Sequence, residues 1–352
     1  MAEARCITIF DIAREAEVSI ATVSRALSDS PNQSSKKQRK VIEIARKYNF
    51  RPSLPAGGLN RGKAGSLGII MPEILHPFYC GVFNTAEIEA RSAGYSLVFY
   101  RILDDSQGYQ AFLDLLIRER PGGVLMTGGL VENSKGPSRF EFIKHLQQYM
   151  PVVILGQPVE GIACSCVTVD LAEGARMSVR HLHALGHRRI ALLGGDPINR
   201  SSSEREAGFV DEMLRFGLPV DDAPRCEGSY APIDGEAGIL KMLRRFPREK
   251  RPTAILAVND MVAIGAMRQL ARIGMRVPHD IAIVGCDNHF YSEYTSPPLT
   301  TLDLKTEQSA KLAMRYLLDP PELSGSVAMV HRLEPELIIR ESCGAKLGRR
   351  EL

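Results

Sequence analysis

Residues 8–27 read TIFDIAREAEVSIATVSRAL. Thr8 can cap a helix running to Glu15, with Asp11 as a capping-box partner and Ile9, Ile12, Ala13 and Ala16 on one face. After Glu17 and Val18, Ser19 can cap a second, short helix to about Leu27 that turns Val23, Ala26 and Leu27 inward. Ser34 or Ser35 then starts a third, whose Val41, Ile42, Ile44 and Ala45 recur at helical spacing. Three helices in so short a stretch make a minimal globule. The second is small-faced enough to enter a DNA major groove about 12 Å wide.

Charge supports that reading. Residues 1–63 hold 12 Lys/Arg against 6 Asp/Glu, whereas the rest of the 352-residue chain holds 32 against 35. A basic head on a faintly acidic body is the pattern of a nucleic-acid anchor joined to a different module. The opening residues carry no apolar run of about 7–15, and no later run reaches the roughly 18 apolar residues of a membrane span. A cytoplasmic protein is therefore expected. The seven cysteines, at 6, 80, 164, 166, 226, 286 and 343, are scattered and suit reduced thiols. Cys164 and Cys166 flank one serine without a second Cys/His pair nearby in sequence, so neither a metal nor a cofactor is expected.

Beyond the head, PSLPAGGLNRGKAGS is rich in Pro and Gly and reads as a linker over residues 52–66. From Leu67 the pattern becomes short apolar runs alternating with helical stretches. Residues 67–71, 96–100, 123–126, 152–155, 189–194, 254–258 and 282–285 read as buried parallel strands. Helical spacing recurs around 82–93, 173–185, 205–216 and 261–273. The alternation predicts an α/β body of doubly wound sheets, with residues enough for more than one sheet.

The segment at 8–27 resembles the helix-turn-helix of the lactose and galactose repressor family, matching the pattern D-[VI]-A-x-x-A-x-V-S-x-x-T-V-S-R. That resemblance implies an operator-binding homodimer with no membrane partner, whose Thr8, Ser19, Thr22, Ser24, Lys36 and Lys37 face the DNA backbone. Ile20 and Ala21 would touch thymine methyl groups, and Arg25 would make a bidentate contact with a guanine. The bland alternative for the hydroxyls is helix capping, and for Arg25 a surface ion pair. Glu17 departs from the family, which places Gly or Asn at that turn. The segment YNFRPSLPAGGL resembles the family's hinge, with Leu59 at the position of the minor-groove wedge. Pro55, Gly57 and Gly58 replace more helix-forming residues there, and each glycine within a helix costs about 1 kcal/mol relative to alanine.

The body resembles the family's sensor, a two-lobed fold shared with periplasmic sugar-binding proteins. The stretches that carry this are LGHRRIALLGG (185–195), EREAGF (204–209), AILAVNDMVAIGAMRQL (254–270), VPHDIAIVGCDN (277–288) and PPLTTL (297–302). The resemblance implies effector contacts at Phe78, Tyr79, Arg205, Tyr230, Asn259 and Asp287. Set against these roles, Arg205 and Asp287 could be a structural pair, Asn259 a cap and Phe78 part of the core. The implied organisation is a DNA-binding domain over 1–51, a hinge over 52–66, a sensor over 67–343 and a tail over 344–352. Lobe 1 would take 67–168 and 299–328, and lobe 2 would take 169–298 and 329–343. An enzyme is disfavoured, since GxGxxG, P-loop, GxSxG and HExxH patterns are all missing. The expected function is repression controlled by a small carbohydrate. A purine-like corepressor or a partner protein is the alternative.

Overall fold

A computed structural model describes residues 9–19, 22, 23, 26, 36–47, 65–101, 108–128, 137–220, 225, 226, 228–320 and 329–345. The chain divides into two compact units, Met1–Arg61 and Gly62–Leu352.

In the first unit, α1 (Ile9–Ala16) and α2 (Lys36–Lys47) pack around Ile12, Ala13, Ala16, Val23, Ala26, Val41 and Ile44, all buried. The turn after α1 places Glu17 at φ 58°, in the left-handed region. Glycine or asparagine suits that conformation better, which gives the family's preference at this turn its physical reason.

The second unit contains two six-stranded sheets of the same design. The first is built from β1 (Ser66–Met71), α3 (Pro77–Ser92), β2 (Ser96–Arg101), α4 (Gly108–Glu119), β3 (Val124–Thr127), α5 (Pro137–Gln147), β4 (Val152–Leu155) and β5 (Ser165–Val169). The chain crosses to the second through α6 (Leu171–Ala184), β6 (Ile190–Leu193), α7 (Arg200–Arg215), β7 (Arg225–Cys226), α8 (Pro232–Arg245), β8 (Ala254–Ala257), α9 (Asp260–Arg272), β9 (Ala282–Cys286) and β10 (Thr300–Asp303). It returns to lobe 1 in α10 (Thr306–Leu318) and β11 (Val330–Leu333), then crosses a last time into β12 (Glu336–Ile338). The strand orders are β11-β5-β4-β3-β1-β2 and β12-β10-β9-β8-β6-β7. Every pairing is parallel except β10 with β12.

Both sheets are covered on both faces. In β4, Val152 and Ile154 join one lobe-1 core while Val153 and Leu155 join the other. In β8, Ala254 and Leu256 serve one lobe-2 core and Ile255 and Ala257 the other. Burial on both faces is why these strands read as unbroken apolar runs. Among the described residues no helix is long and apolar enough to cross a membrane.

The crossovers correct two expected lobe boundaries. Residues 300–303, expected in lobe 1, form β10 beside β9 in lobe 2. Residues 330–333, expected in lobe 2, form β11 beside β5 in lobe 1, in the register Val330↔Cys166. The first error has a plain cause: TTLD is short and polar, and only long-range pairing makes it a strand. The second concerns an edge strand, VHRL, whose first three residues are exposed and leave no buried face to read.

Candidate functional site

A cavity of about 330 Å³ lies between the lobes. It sits beyond the carboxyl ends of the strands, where open α/β sheets bind ligands. Phe78, Tyr79, Arg205, Tyr230, Asn259 and Asp287, drawn from separated stretches of sequence, all line it. The structure adds His76, Gln157, Thr168, Asn199, Ser201, Thr306 and Ser309, which the sequence reading missed.

Lobe 1 supplies the aromatic wall. His76 precedes α3, and its Nδ1 accepts the Phe78 N–H at 3.3 Å. Tyr79 lies edge-on to Phe78, with ring centroids 5.3 Å apart at 76°. Its hydroxyl sits over Gly128, where an added Cβ would lie 2.2 Å from Oη. Gly128 also holds φ at +67°, so this position suits glycine on both counts.

Lobe 2 supplies most of the charge. Arg205 projects from α7, which approaches α6 closely because Gly208 lies against the Ala172 carbonyl. Its Nη1 donates to Ser201 O at 3.2 Å and its Nη2 reaches Cys286 Sγ at 3.9 Å, while Nε is buried with no hydrogen-bond partner among the described residues. Burial disfavours the guanidinium charge, but Cys286, Tyr230 and Asp287 more than offset this and keep its pKa above the ordinary value. The alternative reading of Arg205 and Asp287 as a structural pair is not met by a direct ion pair: no salt bridge links them among the described residues.

Asp287 is 7 % exposed and takes φ 112°, a costly conformation for a residue with a side chain. Its Oδ2 lies 3.3 Å from His289 Nε2. Burial lowers the His289 pKa, yet the nearby carboxylates of Asp287 and Asp260 raise it on balance. Asp260 anchors this loop by accepting from His289 N at 2.9 Å, Ser292 Oγ at 2.6 Å and Thr301 Oγ1 at 2.5 Å. Burial and the charge of Asp287 push Asp260 up to about 6.

Asn259 spans two roles. Its Oδ1 caps α9 by accepting the Val262 N–H at 2.8 Å. Its Nδ2 donates to Tyr230 O at 3.0 Å and meets His76 Nε2 across the cleft at 3.0 Å. Since Nδ2 can only donate, that contact needs an unprotonated Nε2, while the Phe78 contact needs an unprotonated Nδ1, so a neutral imidazole with its single ring proton satisfies one of the two at a time. His76 is suited to stay neutral, because burial lowers its pKa more than nearby Asp287 and Glu73 raise it. Tyr230 shares a 2.5 Å hydrogen bond with Ser202 and packs on the lobe-2 core.

In the head, Ser19 Oγ accepts the Thr22 N–H at 3.2 Å and lies 2.9 Å from Thr22 Oγ1, so both hydroxyls serve the start of the second helix. Lys37 is exposed on α2. Thr8, Ile20, Ala21, Ser24, Arg25, Leu59 and the side chain of Lys36 lie outside the described residues.

These two units define a class: a helix-turn-helix module joined to a two-lobed sensor with a cavity between its lobes. The chain belongs to the lacI family of bacterial regulatory proteins, DNA-binding regulators of transcription. The model "Bacterial regulatory proteins, lacI family" matches residues 8–53, and "Periplasmic binding protein-like domain" matches residues 179–343. The catabolite control protein A of Priestia megaterium is 30% identical over 338 residues, covering 93% of this chain and 98% of that protein. The HTH-type transcriptional repressor CytR of Escherichia coli (strain K12) is 29% identical over 341 residues, 96% of each. Among solved structures, the lac repressor dimer bound to operator and the anti-inducer ONPF has a TM-score of 0.79 at 26% identity, covering 96% of this chain and 99% of that one. A complex of the transcriptional regulator CelR with cellobiose has a TM-score of 0.68 at 25% identity, with coverage of 96% and 100%.

Proposed function

We propose that the protein is a cytoplasmic, homodimeric repressor whose grip on a near-palindromic operator is controlled by a small carbohydrate bound between the lobes. The observation that carries this is the convergence in one cavity of Arg205 and Asp287 with the aromatic rings of Phe78, Tyr79 and Tyr230. A guanidinium fork donates to sugar oxygens, a carboxylate accepts from adjacent hydroxyls, and aromatic faces cover the apolar side of a sugar ring. The cellobiose complex of CelR supports the ligand class. The repressor relatives support the direction of control.

The head is proposed to span residues 1–51, the hinge 52–66 and the sensor 67–343. Arg25 is the proposed base reader and Leu59 the proposed hinge wedge. Ser19 and Thr22 hold the helix start, with Thr8, Ser24, Lys36 and Lys37 on the DNA backbone and Ile20 and Ala21 on thymine methyls.

An effector acts only by binding the two DNA-affinity states differently. Selection from randomised duplexes yields an operator for fluorescence anisotropy, to be measured with a saccharide panel. One saccharide is expected to shift operator affinity roughly 5- to 150-fold, the usual span of allosteric coupling. Arg205→Ala and Asp287→Ala are expected to keep operator binding and lose that shift. Normal responses in both variants would refute the site assignment. A response to purines alone would refute the carbohydrate.

A further inference from the structure

Among the described residues, five helices begin at residues that line the cavity. Four are capped by side chains: His76 accepts from Phe78 N in α3, Asp170 from Glu173 N in α6, Asn199 from Ser201 N in α7 and Asn259 from Val262 N in α9. The fifth, α10, follows Lys305 at φ 52° and has no side-chain cap. Its 13 residues are long enough to give its first turn a substantial partial positive charge, and the leading N–H groups of a helix have no partner within it.

A second observation is independent of the helix end. Thr306 Oγ1 and Ser309 Oγ are both buried without a hydrogen-bond partner among the described residues, and both side chains line the cavity. Ser309 is only 3 % exposed. The two stand three residues apart, on one face of α10. Native proteins rarely leave buried hydroxyls unpaired, since each costs a lost hydrogen bond. Backbone N–H groups can only donate, and the hydroxyls can rotate to donate beside them. A partner rich in acceptors satisfies the backbone N–H groups and both hydroxyls together.

The charged side chains that line the cavity are Glu73, Arg205 and Asp287, so Arg205 is the one that can pair with an anion. Arg205 has no salt bridge among the described residues, whereas Asp287 already has His289 beside it at 3.3 Å. We propose that the effector carries an anionic group, a carboxylate or a phosphate on a carbohydrate, which seats on the first turn of α10 with Thr306 and Ser309 donating to its oxygens. This rests on the carbohydrate reading above and narrows it to acidic sugar derivatives.

The test is thermal shift and calorimetry on the full-length protein with matched probes. These are glucose, glucuronate and glucose 6-phosphate, then galactose, galacturonate and galactose 6-phosphate, with inorganic phosphate as the bare anion. An acidic member is expected to bind at least tenfold more tightly than its neutral parent, and the uronate and phosphate arms tell the two sources apart. Ser309→Ala and Thr306→Val should each remove roughly tenfold or more of that affinity, the range for a hydrogen bond to a charged group, while Thr306→Ser should keep it. Alanine favours helix, so Ser309→Ala is expected to fold. Phosphate held by the basic head would protect wild type and Ser309→Ala alike, which separates it from the cavity.

Neutral parents binding as tightly as their acids would overturn the subsite and leave the carbohydrate reading standing. An anion preference that survives in the combined Thr306→Val and Ser309→Ala variant would also overturn it. Protection by inorganic phosphate alone, lost in Ser309→Ala, would keep the subsite and overturn the carbohydrate. No protection by any anion would overturn the subsite.

Discussion

The two lobes share one strand order and differ in how their helices meet. In lobe 2, glycines put backbone against backbone. A Cβ on Gly208 would fall 2.1 Å from Ala172 O, one on Gly235 2.1 Å from Val262 O, and one on Gly265 1.9 Å from Pro232 O. In lobe 1, helices meet through side chains, and a Cβ on Gly81 of α3 would find only Thr306 Cγ2, at an ordinary 3.7 Å. The cleft chemistry divides along the same line. Lobe 2 brings Arg205, Asn259 and Asp287, while lobe 1 brings the aromatic wall and α10. One topology thus supports two packing styles, and the tighter one holds most of the charged groups.

The largest test of this contrast uses alanine. Gly208→Ala and Gly265→Ala each drive a methyl into a carbonyl that no rotamer can avoid, and are expected to destabilise by about 3 kcal/mol or more. Gly81→Ala, inside a helix with room around it, is expected to stabilise by up to about 1 kcal/mol. Denaturant melts of the three variants give the comparison; equal losses would end it.

Acid should separate the lobes next. His187 in lobe 2 is pushed down to about 4, by burial first and then by His181 and Arg188. A histidine with a depressed folded pKa stays neutral in the native state while the unfolded chain takes up a proton near 6.5. Its contribution is therefore intact above 6.5 and lost as pH falls toward 4. The expected loss is on the order of 1–3 kcal/mol. Hydrogen exchange at pH 7 and pH 4.5, corrected for intrinsic rates, should show lobe 2 loosening first, and His187→Gln should remove much of the difference. His289 acts in the opposite sense. Its raised pKa gives stability that is present below 6.5 and fades as pH climbs through the folded value.

The contact between the lobes gives a smaller effect. His76→Gln keeps a neutral acceptor for Asn259 Nδ2, whereas His76→Ala removes it, at about 1 kcal/mol for one hydrogen bond. Exchange protection of the Val262 amide should fall in the alanine variant and hold in the glutamine one. Comparable loss in both would show that the histidine ring, not the hydrogen bond, matters. The smallest effect extends the glycine contrast to the head. Glu17→Gly frees the strained turn and is expected to stabilise the head by up to about 1 kcal/mol, with the exposed contact of Glu17 to Lys40 at 3.9 Å contributing little. A lower melting temperature for the head would contradict it.

Much of this was legible in the residues themselves. Apolar runs long enough to be buried on both faces announced seven strands, and Ile12, Val23 and Val41 at helical spacing announced the core of the head. The six residues that the motifs single out all line one cavity. What escaped was the strands β5, β7, β10, β11 and β12 and the cavity residues His76, Gln157, Thr168, Asn199, Ser201, Thr306 and Ser309. Asn259 was open between cap and ligand contact, and the structure shows the cap together with a bond across the cleft.

By itself the sequence determined the two modules and the doubly wound character of the sensor, because helix capping and strand burial are set by neighbours within a few residues. Only the tertiary structure decided which sheet each late strand joins, that Arg205 and Asp287 face one cavity without pairing, and that α10 brings unpartnered hydroxyls to it. Strand pairing and the burial of a polar atom depend on groups beyond the reach of local spacing, as when Thr300 pairs with Val284 and Val330 with Cys166.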